Sequence, residues 1–201
     1  MKKLFLIIVA ALTTATVAQA QNGYDDTKHE VAISIGAFSN SQWIDALEDA
    51  TTVLISGSAV SFDDGNFTGP FSAEYFYHIK PWLGVGGIFV YGNNKQDILF
   101  MKKKDGELKH SYYTLLPAVK FDWLRNKHIG MYSKLGLGVT LRNESIDCDE
   151  EDVEQEDDTM THFNWQLSLL GFEAGGPKLR GFVELGCGEQ GIALVGVRCK
   201  F

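Results

Sequence analysis

The feature that most constrains this chain is a period of two with charge confined to one phase. From Phe71 to Lys80, the residues Phe71, Ala73, Tyr75, Tyr77 and Ile79 share one parity, and Glu74, His78 and Lys80 share the other. Further on, Tyr113, Leu115, Pro117, Val119, Phe121 and Trp123 fall opposite Lys120 and Asp122. Ile129, Met131, Leu135, Leu137, Val139 and Leu141 fall opposite Lys134 and Arg142, and Ala193, Val195, Val197, Cys199 and Phe201 fall opposite Arg198 and Lys200. Successive side chains of a strand point to opposite faces, so each stretch reads as a strand with one apolar face and one charged face. Eight such segments are expected, at about 29–37, 70–80, 82–92, 110–124, 128–142, 161–172, 180–188 and 190–201, bounded by Gly, Asn, Asp and Pro.

Two architectures satisfy this pattern. A soluble sandwich or lipocalin-like barrel turns the apolar face into its core and leaves the polar face wet. A transmembrane barrel does the reverse, with lipid on the apolar face and charge in the lumen. Three features favour the second. Glycines crowd the charged parity at Gly84, Gly86, Gly136, Gly138 and Gly186, leaving room for a few large side chains inside a narrow barrel. Aromatic residues gather at segment ends, with Tyr77, Trp82, Phe121, Trp123 and Phe201 at one end and Phe71, Tyr91, Tyr113, Phe163 and Trp165 at the other. Two such belts mark two membrane interfaces. The connectors also alternate in length: Lys80-Pro81-Trp82, LRNKH and EAGGPKL are short, whereas 38–69, 93–109 and 143–160 are long, and only 188–191 on the long side is short. The expected fold is all-β, an eight-stranded antiparallel up-and-down transmembrane barrel with periplasmic turns and outer loops.

Within the first outer loop, Trp43, Ala46, Leu47, Ala50 and Leu54 share one helical face, with Ser39, Asn40 or Ser41 available as a cap. A short amphipathic helix is expected there, with an added strand from TTVLIS as the alternative. The N-terminus carries two lysines, an apolar run from Leu4 to Leu12 and an Ala18-Gln19-Ala20 site. It predicts a signal peptide over 1–20 and a barrel domain over 21–201. The formal charge of −8 becomes about −10 without Lys2 and Lys3, which argues against nucleic acid as a partner. The three cysteines make no disulfide framework. Cys187 is expected near Ile192 and Cys199 near Arg180, too far apart for a bond.

The runs EYFYHIKPWLGVGGIFVYG, YYTLLPAVKFDWL, MYSKLGLGVTL and FVELGCGEQGIALVGVRCKF resemble the small outer-membrane β-barrel proteins of Bacteroides-type Gram-negative bacteria. The resemblance covers residues 70–201 best. It implies residence in the cell outer membrane, contact with outer-membrane lipid and lipopolysaccharide, and a terminal Phe201 that is part of the signal read by the barrel-assembly machinery. It brings no catalytic residue, cofactor or metal.

The lumen is expected to hold a polar network of Glu74, Lys80, Lys120, Asp122, Lys134, Arg142, Glu184, Arg198 and Lys200. Eight strands enclose a space that side chains can fill, and charges there must pair or meet water. A plugged lumen with a structural or surface-interaction role is therefore expected, with a narrow ion or small-solute channel as the alternative. A lipid-modifying enzyme at the loop rim is a more remote one. His110, Ser111, Glu107 and His162 gather at that end, but their spacing matches no catalytic motif, and the chain is not expected to be an enzyme. Nine of the twelve residues of DCDEEDVEQEDD, 147–158, are acidic. Asp147, Asp149 and Glu151 have the spacing of a calcium loop, yet Asp152 stands where that loop requires glycine. A solvated acidic loop is expected.

Overall fold

The structure, a computed structural model, describes residues 27–44, 60–62, 66–100, 103–148 and 158–201. The signal-peptide segment, the helix beyond Ile44 and most of the acidic run lie outside the described residues.

Among the described residues, nine strands form one antiparallel sheet: β1 His29–Ala37, β2 Val60–Phe62, β3 Asn66–Lys80, β4 Leu83–Phe100, β5 Lys103–Arg125, β6 Ile129–Cys148, β7 Asp158–Gly175, β8 Leu179–Gly188 and β9 Ala193–Lys200. Eight of them run around in the order β4-β3-β1-β9-β8-β7-β6-β5, and β5 pairs back onto β4 to close the circle. The fold is thus a closed eight-stranded up-and-down barrel. The short β2 adds only to the far end of β4, opposite Ile98–Phe100. Closure joins the first and last strands, from Glu30 opposite Lys200 to Ala37 opposite Ala193. His29 and Phe201 exchange two backbone hydrogen bonds of 2.9 Å, and their rings stack with centroids 5.5 Å apart.

Alternation appears as burial. Along β1, Val31, Ile33 and Ile35 are exposed while Glu30, Ala32 and Ser34 are buried. The same holds in β8, where Leu179, Val183 and Leu185 face out and Arg180, Phe182 and Glu184 face in. The barrel is inside-out relative to a soluble protein, with buried lysine, arginine and glutamate and a mantle of exposed Ile, Leu, Val, Phe and Tyr. An apolar patch, Phe76, Ile88, Val90, Leu116 and Ala118, lines one lumen wall. Of the glycines named in the sequence, Gly86, Gly138 and Gly186 lie against neighbouring backbone, and the room for large rings is made at Gly171 and Gly196. A Cβ on Gly171 would fall 2.4 Å from the Tyr132 ring, and one on Gly196 would fall 2.6 Å from Phe182.

The expected long loops are shorter than their sequences suggested. Residues 93–109 are mostly strand, since β4 runs to Phe100 and β5 starts at Lys103. Likewise β6 reaches Cys148 and β7 starts at Asp158, leaving 149–157 between them. These stretches are polar, so the alternation that marks a strand is lost although the ladder continues. At 38–69, β2 and the start of β3 take up part of the connector, and the TTVLIS stretch, 51–56, lies outside the described residues. Cys199 stands opposite Leu179, one residue from the expected Arg180, while Cys187 lies past the end of the β8–β9 ladder at Leu185 and Ala193 and pairs on its other side with Leu167 of β7. Both cysteines are free.

Candidate functional site

The lumen divides into two halves. At the turn end, near His29, the 80–82 turn and Phe201, the inward residues are ionic. Lys120 Nζ lies 2.5 Å from Glu30 and 3.2 Å from Asp122. Lys134 Nζ lies 2.5 Å from Glu74 and 3.0 Å from Glu184. Arg180 pairs with Glu173 at 2.6 Å, and Lys200 pairs with Glu173 and, at 3.1 Å, with Glu30. Arg198 sits at the centre. Its guanidinium is 2.7 Å from Glu173, 3.3 Å from Glu74, 3.7 Å from Glu30 and 3.9 Å from Glu184. It is sandwiched between the rings of Tyr132 and Phe182, at 4.5 and 4.6 Å. Tyr132 donates its hydroxyl to Glu184 at 2.6 Å, and Lys120 lies over its ring. All these groups are at most a few per cent exposed, so pairing offsets a large desolvation cost.

Of the residues singled out in the sequence, Glu74, Lys120, Asp122, Lys134, Glu184, Arg198 and Lys200 come together in this cluster. Lys80 does not. The register shifts between His78 and Lys80, so alternation breaks there; Lys80 is exposed, with its ammonium 5.5 Å from the Trp82 ring centroid. Arg142 is buried but stands apart at the loop end, 3.3 Å from the His110 ring. Phe201 faces outward, exposed beside His29.

Five members of the cluster were missed. Glu30 and Arg180 were legible from parity, opposite Val31 and Ile33 in one strand and on the phase of Glu184 in the other. His78 shares the phase of Glu74 and hydrogen-bonds Asp122 at 2.6 Å. Arg125 and Glu173 were hidden by bulges. The register shifts between Asp122 and Leu124 in β5 and between Ser168 and Leu170 in β7, inserting one residue and turning odd positions inward. Glu30, His78 and Asp122 also form a three-residue group of metal-ligand type. Its oxygens already face Lys120, Lys200 and Arg125, so the donor set suits ammonium and guanidinium partners better than a second cation.

The loop half is built mainly from neutral hydrogen-bonding groups, with Arg142 and Glu189 buried among them. Thr114 and Thr140 share a 2.6 Å hydroxyl contact, and Asn164 donates to Thr140 at 2.9 Å. The 188–191 turn folds into the mouth and buries Glu189 and Gln190. Gln190 donates through its backbone to Gln166 and through its amide to Glu74, at 2.7 and 2.8 Å, linking the halves. Above it lies a short helical segment at residues 40–44. Ser39 caps it: the Ser39 hydroxyl accepts from Gln42 N at 3.3 Å while Ser39 N donates to the Gln42 side chain at 2.7 Å. Trp43, expected on the apolar face, is exposed. A cavity of about 330 Å³ lies between this segment and the wall, lined by Ser41, Ile44, Tyr112, Arg142, Met160, Thr161 and His162. His110 lies buried at the loop end against Arg142 and His162 lines the cavity, whereas the side chain of Glu107 lies outside the described residues.

No protein-family model matches the chain, and no curated protein matches it in sequence. Among solved structures it is similar to Ail, the attachment invasion locus protein of Yersinia pestis, in complex with the heparin analogue sucrose octasulfate. The identity is 14%, the TM-score 0.46, and the match covers 87% of this chain and 99% of that one. It is also similar to the crystal structure of Ail itself, at 14% identity and a TM-score of 0.42 over the same shares of the chains.

Proposed function

We propose that the chain is an integral outer-membrane barrel whose lumen is plugged by its own ion pairs and whose role is played at the cell surface. The observation that carries this reading is the inverted burial. An exposed mantle of apolar side chains surrounding buried charge is unfavourable in water and favourable in lipid. The aromatic ends agree with it. Trp82 stacks on Phe121 at the turn end, and Tyr91 packs on Tyr113 at the loop end. Outer-membrane lipid and lipopolysaccharide are then the partners of the mantle, with turns in the periplasm.

Strand length supports the surface role. A spanning strand needs roughly 9–11 residues, whereas β4 and β7 have 18, β6 has 20 and β5 has 23. The excess lies at the loop end, so β4 to β7 carry a ribbon beyond the bilayer, with β2 paired at its edge. A protruding sheet presents backbone and side chains to whatever lies outside the cell.

Planar-bilayer recording on the refolded protein tests the plug. No steady conductance is expected, and liposomes carrying the protein should not take up sugars. A large, steady conductance would replace this reading with the channel. The terminal residue is the remaining element: Phe201 serves as part of the address for the barrel-assembly machinery, supported by its place at the closing seam. Deleting it should lower the amount assembled in the outer membrane while export continues; normal assembly of the truncated chain would remove that role.

A further inference from the structure

We propose that Glu189 is a latch that holds the helical segment 40–44, the described start of the first outer segment, down over the mouth, so that breaking it opens the loop half of the barrel while the ion cluster below stays intact. Glu189 is 2% exposed, and the donors to its carboxylate are all neutral. It accepts from Ser41 N at 3.2 Å, Ser41 Oγ at 2.6 Å, Asn164 Nδ2 at 2.8 Å and Thr114 Oγ1 at 3.4 Å. Ser41 belongs to the first outer segment; Asn164 and Thr114 belong to the wall. One carboxylate is therefore the joint between the two. A second tie runs from Asn40 Nδ2 to Asn164 Oδ1 at 2.9 Å.

Two further features make this a device that moves as a piece. The reciprocal Ser39–Gln42 bonds stiffen the segment from within, so it lifts as a unit. Its pivot, Phe38, has a φ of 61°, a conformation that bulky residues rarely adopt and that the closed contacts must hold in place. The turn bearing Glu189 is set by Gly188 and Gly191, with φ of 129° and 103°. The backbone of Gly36 packs so close to it that a Cβ there would meet Gln190 O at 1.9 Å. The carboxylate is thus presented from a tightly seated turn, and the segment on top is the part free to leave. The donors to Glu189 are Ser41, Asn164 and Thr114, none of them in the ion cluster, and the tie from this turn to the cluster runs through Gln190 to Glu74.

The test uses the full chain refolded in detergent, with the native cysteines replaced and spin labels at Trp43→Cys and Phe163→Cys. Both positions are exposed, at 60% and 67%, so labels disturb little. Pulsed electron resonance should give one narrow distance for the intact latch. Ser41→Ala and Glu189→Ala should each add a population at longer distance, enlarged about tenfold or more, as loss of a hydrogen bond to a charged group implies. Heat-modifiable gel mobility should remain that of a folded barrel. A distribution unchanged by both substitutions, or already broad in the intact chain, overturns the latch. If Glu189→Ala fails to fold, Ser41→Ala decides alone. The outcome is independent of whether the barrel conducts.

Discussion

The two halves of the lumen solve the same problem differently. Each must fill the inside of a narrow barrel without leaving buried polar groups unmatched. The turn half uses full charges, with Arg198 shared among four carboxylates and every lysine of the cluster paired. The loop half relies mainly on hydroxyls and amides around Glu189, with Arg142 against the His110 ring. The difference is one of consequences. Removing one ion leaves others buried and unbalanced, so the ionic half is hard to take apart piecemeal. Removing one neutral donor costs a single hydrogen bond. A barrel built this way is harder to take apart at its turn end than at its loop end.

The largest effect expected from breaking this contrast is at Arg198. Arg198→Met keeps bulk between Tyr132 and Phe182 but leaves Glu30, Glu74, Glu173 and Glu184 without their shared cation. Unfolding in urea from lipid vesicles should show a loss of about 3–5 kcal/mol, the scale for a broken buried pair. A loss as small as that of Ser41→Ala would mean that the cluster is no more cooperative than the loop half.

A smaller effect is expected at Gly171, which tests packing in place of charge. The Tyr132 ring lies against it and is held there by Lys120, Arg198 and the hydrogen bond to Glu184. A Cβ would meet three ring atoms at 2.4 to 2.8 Å, and the ring has little freedom to retreat. Gly171→Ala should cost about 1–3 kcal/mol, as overpacking does. Gly181→Ala is the control, because nothing lies within 4 Å of its added methyl. Equal melting temperatures for the two variants would show that Tyr132 can move aside.

What the sequence made legible follows from the same contrast. Alternation reports the membrane-spanning part well because lipid and lumen demand opposite chemistry at neighbouring positions. The inward placement of Lys120, Lys134 and Arg198 could be read for that reason. It fails at bulges. In LSLLGFE, Leu167, Leu169 and Leu170 are all apolar, so the inserted residue leaves no mark and Glu173 reads as facing out. It fails again beyond the bilayer, where polar residues occupy both faces and β4 and β5 read as a loop. The latch was beyond reach: a serine more than a hundred residues from the asparagine and the glutamate it joins carries no pattern until the barrel closes.

The smallest expected effect concerns two lysines on the charged phase of their segments. Lys80 and Lys120 both follow the alternation of the strand that holds them, so sequence gives them equal standing in the lumen. Their surroundings differ completely. Lys120 is fully buried against Glu30 and Asp122, whereas the register shift after His78 delivers Lys80 to the surface of the turn. What Lys80 gains there is a contact with the Trp82 ring at 5.5 Å, and an exposed cation–π pair is worth about 0.5–1 kcal/mol at most. Lys80→Gln should therefore shift the urea midpoint little, while Lys120→Gln removes a buried cation shared by Glu30 and Asp122 and should shift it several times as far. The measurement is the ratio of the two shifts in one vesicle preparation. A ratio near one would return Lys80 to the lumen and with it the unbroken register that the bulge denies.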